Sequence, residues 1–223
     1  NYLDIGSGES PLPSYFLKHT NWNISCIDKY SWVRRQFNFV SKVTTNKDIK
    51  SRFHIIEKDL LAANLPESSY DVITNISVIE HFEGYFDATA MKASAKLLKP
   101  GGIYILTTLM NEGFYREFFI AKKVYGVEFD GTPVFYQRHY DLTHLQTRII
   151  NSSGLLEKSR IYFGDYDFQC FEIIFQNTPK IISAFYRWAT PTFAQRYLSY
   201  NDQPISRANM QMNTASGVII IFT

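Results

Sequence analysis

Residue type and spacing first point to chemistry in the run Leu3-Asp4-Ile5-Gly6-Ser7-Gly8, an apolar strand pattern that breaks into a glycine bend. Glycine after a buried strand lets the chain turn sharply, and amides at the start of a following helix can bind a carboxylate or a phosphate. Alone, such a bend is any strand-to-helix turn. Its neighbours add weight. Asp28 stands 20 residues beyond Gly8, at the end of the next apolar run, where an acid can accept both hydroxyls of a ribose. Asp59-Leu60 closes a third run, in position for an adenine amino group beside an apolar wall, and Asn75 closes a fourth, facing the same crevice. These are the carboxyl ends of strands, where open α/β sheets bind their ligands. Glu9, Ser10 and Pro11 follow Gly8, so the third glycine of the dinucleotide fingerprint is missing, which counts against NAD.

Two histidines are candidate catalytic bases. His81 is expected to begin the helix beyond the fourth strand, beside the crevice, and to take a proton from an acceptor; a local hydrogen bond that shapes the turn is the plainer role. His139 falls on the loop before Asp141 and could also reach an acceptor, although Arg138-His139-Tyr140 simply packing this corner ranks first. Glu80 reads as a structural carboxylate and Asp141 as a helix N-cap. No second acid stands at ligand spacing from Asp141, so no metal site is expected. His19, His54 and His144 look like surface or strand histidines.

The elements that must hold these residues alternate. Strands are expected at 2–5, 23–27, 53–57, 70–75 and 103–108, with helices starting near Pro13 and spanning 85–98, which argues for a parallel sheet with crossover helices. Lys99-Pro100-Gly101-Gly102 stops the second of these helices. A helix from Asp141 to Gly154, a sixth strand over 155–163 and a last strand over 217–222 complete the pattern. Residues 109–139 read as irregular and aromatic. Segment 164–216 is also rich in Phe, Tyr and Trp, and is too long for a structureless loop. Both are expected to be substrate-cap insertions in a single domain, 1–223. Arg187, Arg196 and Arg207 could read a phosphate or a carboxylate there.

The chain has 223 residues, enough for one α/β domain, and a formal charge of +2, too small a field to demand a nucleic-acid or membrane partner. The cysteines, Cys26 and Cys170, lie far apart and form no redox or metal pair. No apolar run reaches the length of a membrane span, and a cytoplasmic protein is expected. The sequence opens directly on a central strand, so an N-terminal segment, for example a helix, is expected to be missing.

Taken together, Leu3–Gly8, Asp28, Asp59-Leu60, Tyr70–Phe82 and Leu98–Gly102 resemble the ordered motifs of class I S-adenosylmethionine-dependent methyltransferases, strongly over 2–108 and weakly over 138–163. Val78-Ile79-Glu80-His81-Phe82 is similar to the ubiquinone-pathway and related small-molecule O-methyltransferases. The resemblance implies a Rossmann-like fold: a seven-stranded, mostly parallel sheet with a terminal antiparallel strand. It implies S-adenosyl-L-methionine as cofactor. Asp4, Gly6 and Gly8 would frame its methionine part, Asp28 would hold the ribose with Lys29 and Tyr30 near the adenosine, Asp59 and Leu60 would flank the adenine, and Asn75 and Ile76 would line the methionyl side. No Asn-Pro-Pro-Tyr or Pro-Cys follows the fourth strand, which speaks against DNA-base methylation. The function expected is methyl transfer to a small-molecule acceptor through a hydroxyl. N-methylation and a non-catalytic methyltransferase-like binding protein are the alternatives, and a dinucleotide oxidoreductase is the rival from fold alone.

Overall fold

A computed structural model describes residues 1–111, 113–165, 198–201 and 216–223. Cys170, the three arginines of the second expected cap and most of that cap lie outside the described residues. Strand β1 (Tyr2–Ile5) is buried along its whole length, as a central strand covered on both faces must be. Its side chains alternate between two cores. Leu3 and Ile5 face Ile73, Leu106, Ala90, Met91 and Ile149; Tyr2 faces the other way, toward Ile24, Cys26, Leu17, Val33 and Phe53. Cys26 is thus a core thiol, its pKa pushed up by burial.

The parallel part of the sheet adds β2 (Ile24–Asp28), β3 (Phe53–Glu57), β4 (Tyr70–Ile76) and β5 (Leu98–Met110). The hydrogen-bonded order is β3-β2-β1-β4-β5. The order reverses between β1 and β4, which opens a crevice over their carboxyl ends. Beyond β5 come β10 (Ser216–Phe222), antiparallel to both neighbours, and then β8 (Glu157–Asp165). These are the seven strands of the expected sheet. A short further strand, β9 (Leu198–Asn201), pairs with the edge of β8. Helices α1 (Leu12–His19), α2 (Gln36–Val43) and α3 (Lys47–Lys50) connect the early strands, and α4 (Phe86–Leu97) precedes β5.

Residues 109–139, expected to be irregular, contain a hairpin: β6 (Arg116–Ile120) antiparallel to β7 (Val134–His139). Its register shifts between Phe118 and Phe119, a bulge that interrupts the alternation by which a strand is recognised. His139 ends β7 rather than lying in a loop. After it, Asp141 caps α5 (Leu142–His144), its Oδ1 accepting the His144 amide at 2.7 Å. The helical path continues through a wide π-type stretch, Leu145–Ile150, into α6 (Asn151–Ser153).

Candidate active site

Over the carboxyl ends of β1–β4 lies a cavity of about 530 Å³, lined among others by Gly6, Asp28, Lys29, Asp59, Leu60, Val78 and His81. The glycine bend is shaped by packing: Gly6 has φ +66°, and a Cβ there would fall 2.3 Å from a Val78 methyl group. Only a residue without a side chain lets β1 pass beneath the segment that leaves β4. Asp28 is held by the backbone, its Oδ2 accepting the Gly8 amide at 3.1 Å and its Oδ1 the Tyr30 amide at 2.9 Å. Each oxygen retains a lone pair. Asp59 accepts the Leu61 amide on Oδ1 at 2.9 Å, which starts the short 3₁₀ turn Leu60–Ala62 and turns this acid, too, to the cavity.

Other expected residues stand behind this surface. Asp4 is buried. Its Oδ1 accepts the Thr74 hydroxyl at 2.6 Å, its Oδ2 has no partner among the described residues, and burial raises its pKa to about 6. Asn75, paired in register with Ile5, is fully buried rather than facing the crevice, and neither its Oδ1 nor its Nδ2 has a partner among the described residues. Neither Asn75 nor Ile76 is among the cavity's lining residues; Ser77 and Val78 take that place because the chain bends there, Ser77 adopting φ +54°. Gly8 meets the cavity only through its bond to Asp28.

His81 does not begin a helix. It ends a 3₁₀ turn, Ile79–His81, ahead of α4. Its Nδ1 lies 2.7 Å from the Tyr136 carbonyl oxygen and 2.8 Å from the Tyr125 hydroxyl, and no hydrogen bond engages Nε2 among the described residues. Burial lowers its pKa, so the ring is neutral at pH 7 with Nε2 left as a proton acceptor. Glu80 points inward, accepts the Thr108 hydroxyl at 3.1 Å and is raised by burial to about 7. His139 is not among the cavity's lining residues. It contacts Gln137 and the Phe118 ring, and burial brings its pKa down to about 4.

The segment that carries His81 is fastened by charges that cannot be paired from the sequence. Asp87 and Arg138 have no exposed side-chain surface and meet at 3.1 Å. Asp87 also accepts from Arg148 Nε at 2.7 Å and from the Tyr140 hydroxyl at 2.8 Å. Arg138 donates to the carbonyls of Phe82 and Gly84, and Arg148 to that of Gly84. The Arg138-His139-Tyr140 corner therefore pins the loop just after His81. The hairpin segment adds Val124, Tyr125, Val127, Val134 and Phe135 to the cavity wall. Trp32, Phe82 and Phe86 were not foreseen there. Among the described residues no three His, Cys, Asp or Glu side chains gather as a metal site, and no helix is long and apolar enough to cross a membrane.

A family model described as a methyltransferase domain matches residues 1–148. Among solved structures, coclaurine N-methyltransferase bound to N-methylheliamine and S-adenosylhomocysteine aligns with a TM-score of 0.64 at 11% identity, over 100% of this chain and 67% of that one. An S-adenosylmethionine-dependent methyltransferase from Mesorhizobium loti aligns with a TM-score of 0.54 at 12% identity, over 100% and 90% of the two chains. The 1,6-didemethyltoxoflavin-N1-methyltransferase of Burkholderia thailandensis, with 1,6-didemethyltoxoflavin and S-adenosylhomocysteine bound, gives 0.54 at 14% identity, over 71% and 61%. At such identities the likeness speaks for the fold alone. No curated protein matches the sequence. The family match spans most of the chain, including every strand whose end meets the cavity: this protein belongs to the methyltransferase domain family and is an S-adenosylmethionine-dependent methyltransferase.

Proposed function

We propose that the cavity binds S-adenosylmethionine along the tips of β1–β4 and that the enzyme methylates a hydroxyl of a small molecule, with His81 as the base. The observation that carries this reading is the convergence of Asp28 and Asp59, from neighbouring strands, on one cavity that also holds Gly6 and His81. The fit to the cofactor is chemical as well as spatial. Asp28 offers free lone pairs for two ribose hydroxyls, Asp59 an acceptor for an exocyclic amine, and Leu60 and Ile27 an apolar wall. Asp4 and Asn75, buried behind the cavity surface, would support the glycine bend rather than touch the cofactor.

When bound, the cofactor supplies an electrophilic methyl group on a sulfonium with its leaving group in place. The chain's own part is to align and to dehydrate. His81 Nε2 takes the acceptor's proton, while the Tyr136 carbonyl holds the Nδ1 hydrogen and with it the tautomer. The apolar wall of Val127, Val134 and Phe135 keeps water from the transfer. The likeness of Val78–Phe82 to ubiquinone-pathway O-methyltransferases supports oxygen as the acceptor atom. Two of the solved relatives are named as N-methyltransferases, which supports an amine instead.

Calorimetric titration tests the cofactor, with S-adenosylhomocysteine expected to bind and NADH not. For the base, His81→Ala should slow S-adenosylhomocysteine formation about 10²–10⁴-fold with a hydroxyl acceptor while leaving S-adenosylhomocysteine affinity unchanged. Turnover that survives the substitution points to an amine acceptor, which needs no base if it arrives neutral.

A further inference from the structure

The contact between the hairpin segment and His81 leaves one hydrogen atom to be placed. A carbonyl oxygen only accepts, so the 2.7 Å approach of Tyr136 O to His81 Nδ1 puts the imidazole hydrogen on Nδ1; the other tautomer would set two lone pairs against each other. A nitrogen that carries its hydrogen cannot accept another. The Tyr125 oxygen, 2.8 Å from the same Nδ1, therefore shares that hydrogen as an acceptor, and the phenol's own hydrogen points away from His81. Among the described residues nothing else takes it. Burial pushes the Tyr125 pKa up, so the hydrogen is kept at neutral pH. Tyr125 lines the same cavity as His81.

The backbone shows that the position of the Tyr125 ring is imposed. Tyr125 and Gly126 are the central residues of a tight turn closed by reciprocal bonds between Val124 and Val127, with φ +50° and +76°. Turns of that kind favour Asn, Asp or Gly at the first of these positions, not a bulky aromatic. The ring is nevertheless fixed between Tyr30 (5.9 Å) and Tyr136 (6.0 Å), both stacked on it, with Trp32 edge-on. Strained residues persist where their surroundings over-determine them, commonly at ligand sites.

We propose that Tyr125 contacts substrate, its hydroxyl donating a hydrogen bond to an acceptor molecule that carries a second, lone-pair-bearing oxygen close to the group His81 deprotonates. The inference rests on the reading of this cavity as the transfer site. With Nδ1 engaged, Nε2 receives the reacting proton while Tyr125 reads the neighbouring oxygen, so the two side chains together select an oxygen pair on one small molecule.

Two measurements decide it. Long-range proton–nitrogen NMR of the nitrogen-15-labelled chain should show the His81 hydrogen on Nδ1; finding it on Nε2 overturns the proposal, because Tyr125 would then spend its hydrogen on His81. The second is S-adenosylhomocysteine formation from S-adenosylmethionine with 2-hydroxybenzoate and phenol as probes. Wild type should prefer 2-hydroxybenzoate, and Tyr125→Phe, which keeps the ring and its stacking, should lower kcat/KM for it about 10- to 100-fold through KM, as loss of a bond to a charged group does, with a much smaller loss on phenol, which feels only the missing contact to His81. Equal losses on both probes, or none, overturn it. A wild type that binds S-adenosylhomocysteine yet methylates neither probe overturns it as well. Failure to bind S-adenosylhomocysteine would instead remove the cofactor reading, with the NMR result still deciding where the hydrogen lies.

Discussion

Gly6→Ala, alone and combined with Val78→Ala, probes the contact on which the glycine bend depends. At φ +66° an alanine pays about 1–2 kcal/mol for the left-handed conformation, whatever surrounds it. Its Cβ would also stand 2.3 and 2.5 Å from the two Val78 methyl groups and 2.9 Å from Val78 Cβ, overpacking of the kind that adds about 1–3 kcal/mol. The single variant should therefore lose about 2–5 kcal/mol. Val78→Ala removes two partly buried methyl groups, about 1 kcal/mol. Were the sites independent, the double variant would lose about 3–6 kcal/mol. Removing the methyl groups abolishes the two shortest contacts and leaves only the 2.9 Å one and the φ cost, so the double variant should lose about 2–3 kcal/mol, a coupling of about 1–3 kcal/mol. Urea unfolding of the four proteins measures it, provided the m-value is common to all. The double variant should also recover part of the S-adenosylhomocysteine affinity that Gly6→Ala loses. Additivity within about 0.5 kcal/mol would refute the steric account and leave the bend's glycine explained by backbone freedom alone.

Arg138→Met should destabilise the fold by about 3–5 kcal/mol, because it strips a buried partner from Asp87, frees the carbonyl of Phe82 and leaves that of Gly84 to Arg148 alone; a loss under about 1 kcal/mol in urea unfolding would show that Arg148 holds the loop by itself. Glu80 titrates near 7 when folded against 4.5 ordinarily, so its contribution to stability is full below about 4.5 and is lost as pH rises through about 7. Glu80→Gln should flatten the urea midpoint over that window, and an unchanged slope would place the effect on another group. The lowered pKa of His81 puts the acid limb of kcat/KM below 6.5, and that limb should vanish in His81→Ala.

Much of this architecture is written locally. Short apolar runs that end in Gly6, Asp28, Asp59 and Asn75 identify strands and their carboxyl ends, because alternation and turn residues act over a few positions. The Asp141 cap was legible for the same reason, one carboxylate meeting an amide within a turn. The hairpin of β6 and β7 was not, since its bulge at Phe118 and Phe119 breaks the two-residue period that marks a strand. His81 was named from its place after β4, but the 3₁₀ turn that ends on it could not be told from the start of a helix.

By itself, then, the sequence determined the order of the sheet's strands from β1 to β5, the family and which acids stand at strand tips, since each depends on neighbours along the chain. Only the tertiary structure decided which groups look into the cavity. Asn75 and Asp4 are buried and off the cavity surface, whereas Val78 packs on Gly6 and lines the cavity after a backbone bend at Ser77. Only in three dimensions do Asp87, Arg138 and Arg148 meet, across separations of 51 and 61 residues, and does Tyr125 reach His81 across 44. Such contacts are chosen by packing and desolvation over the whole fold, for which no short stretch of residues carries a signal.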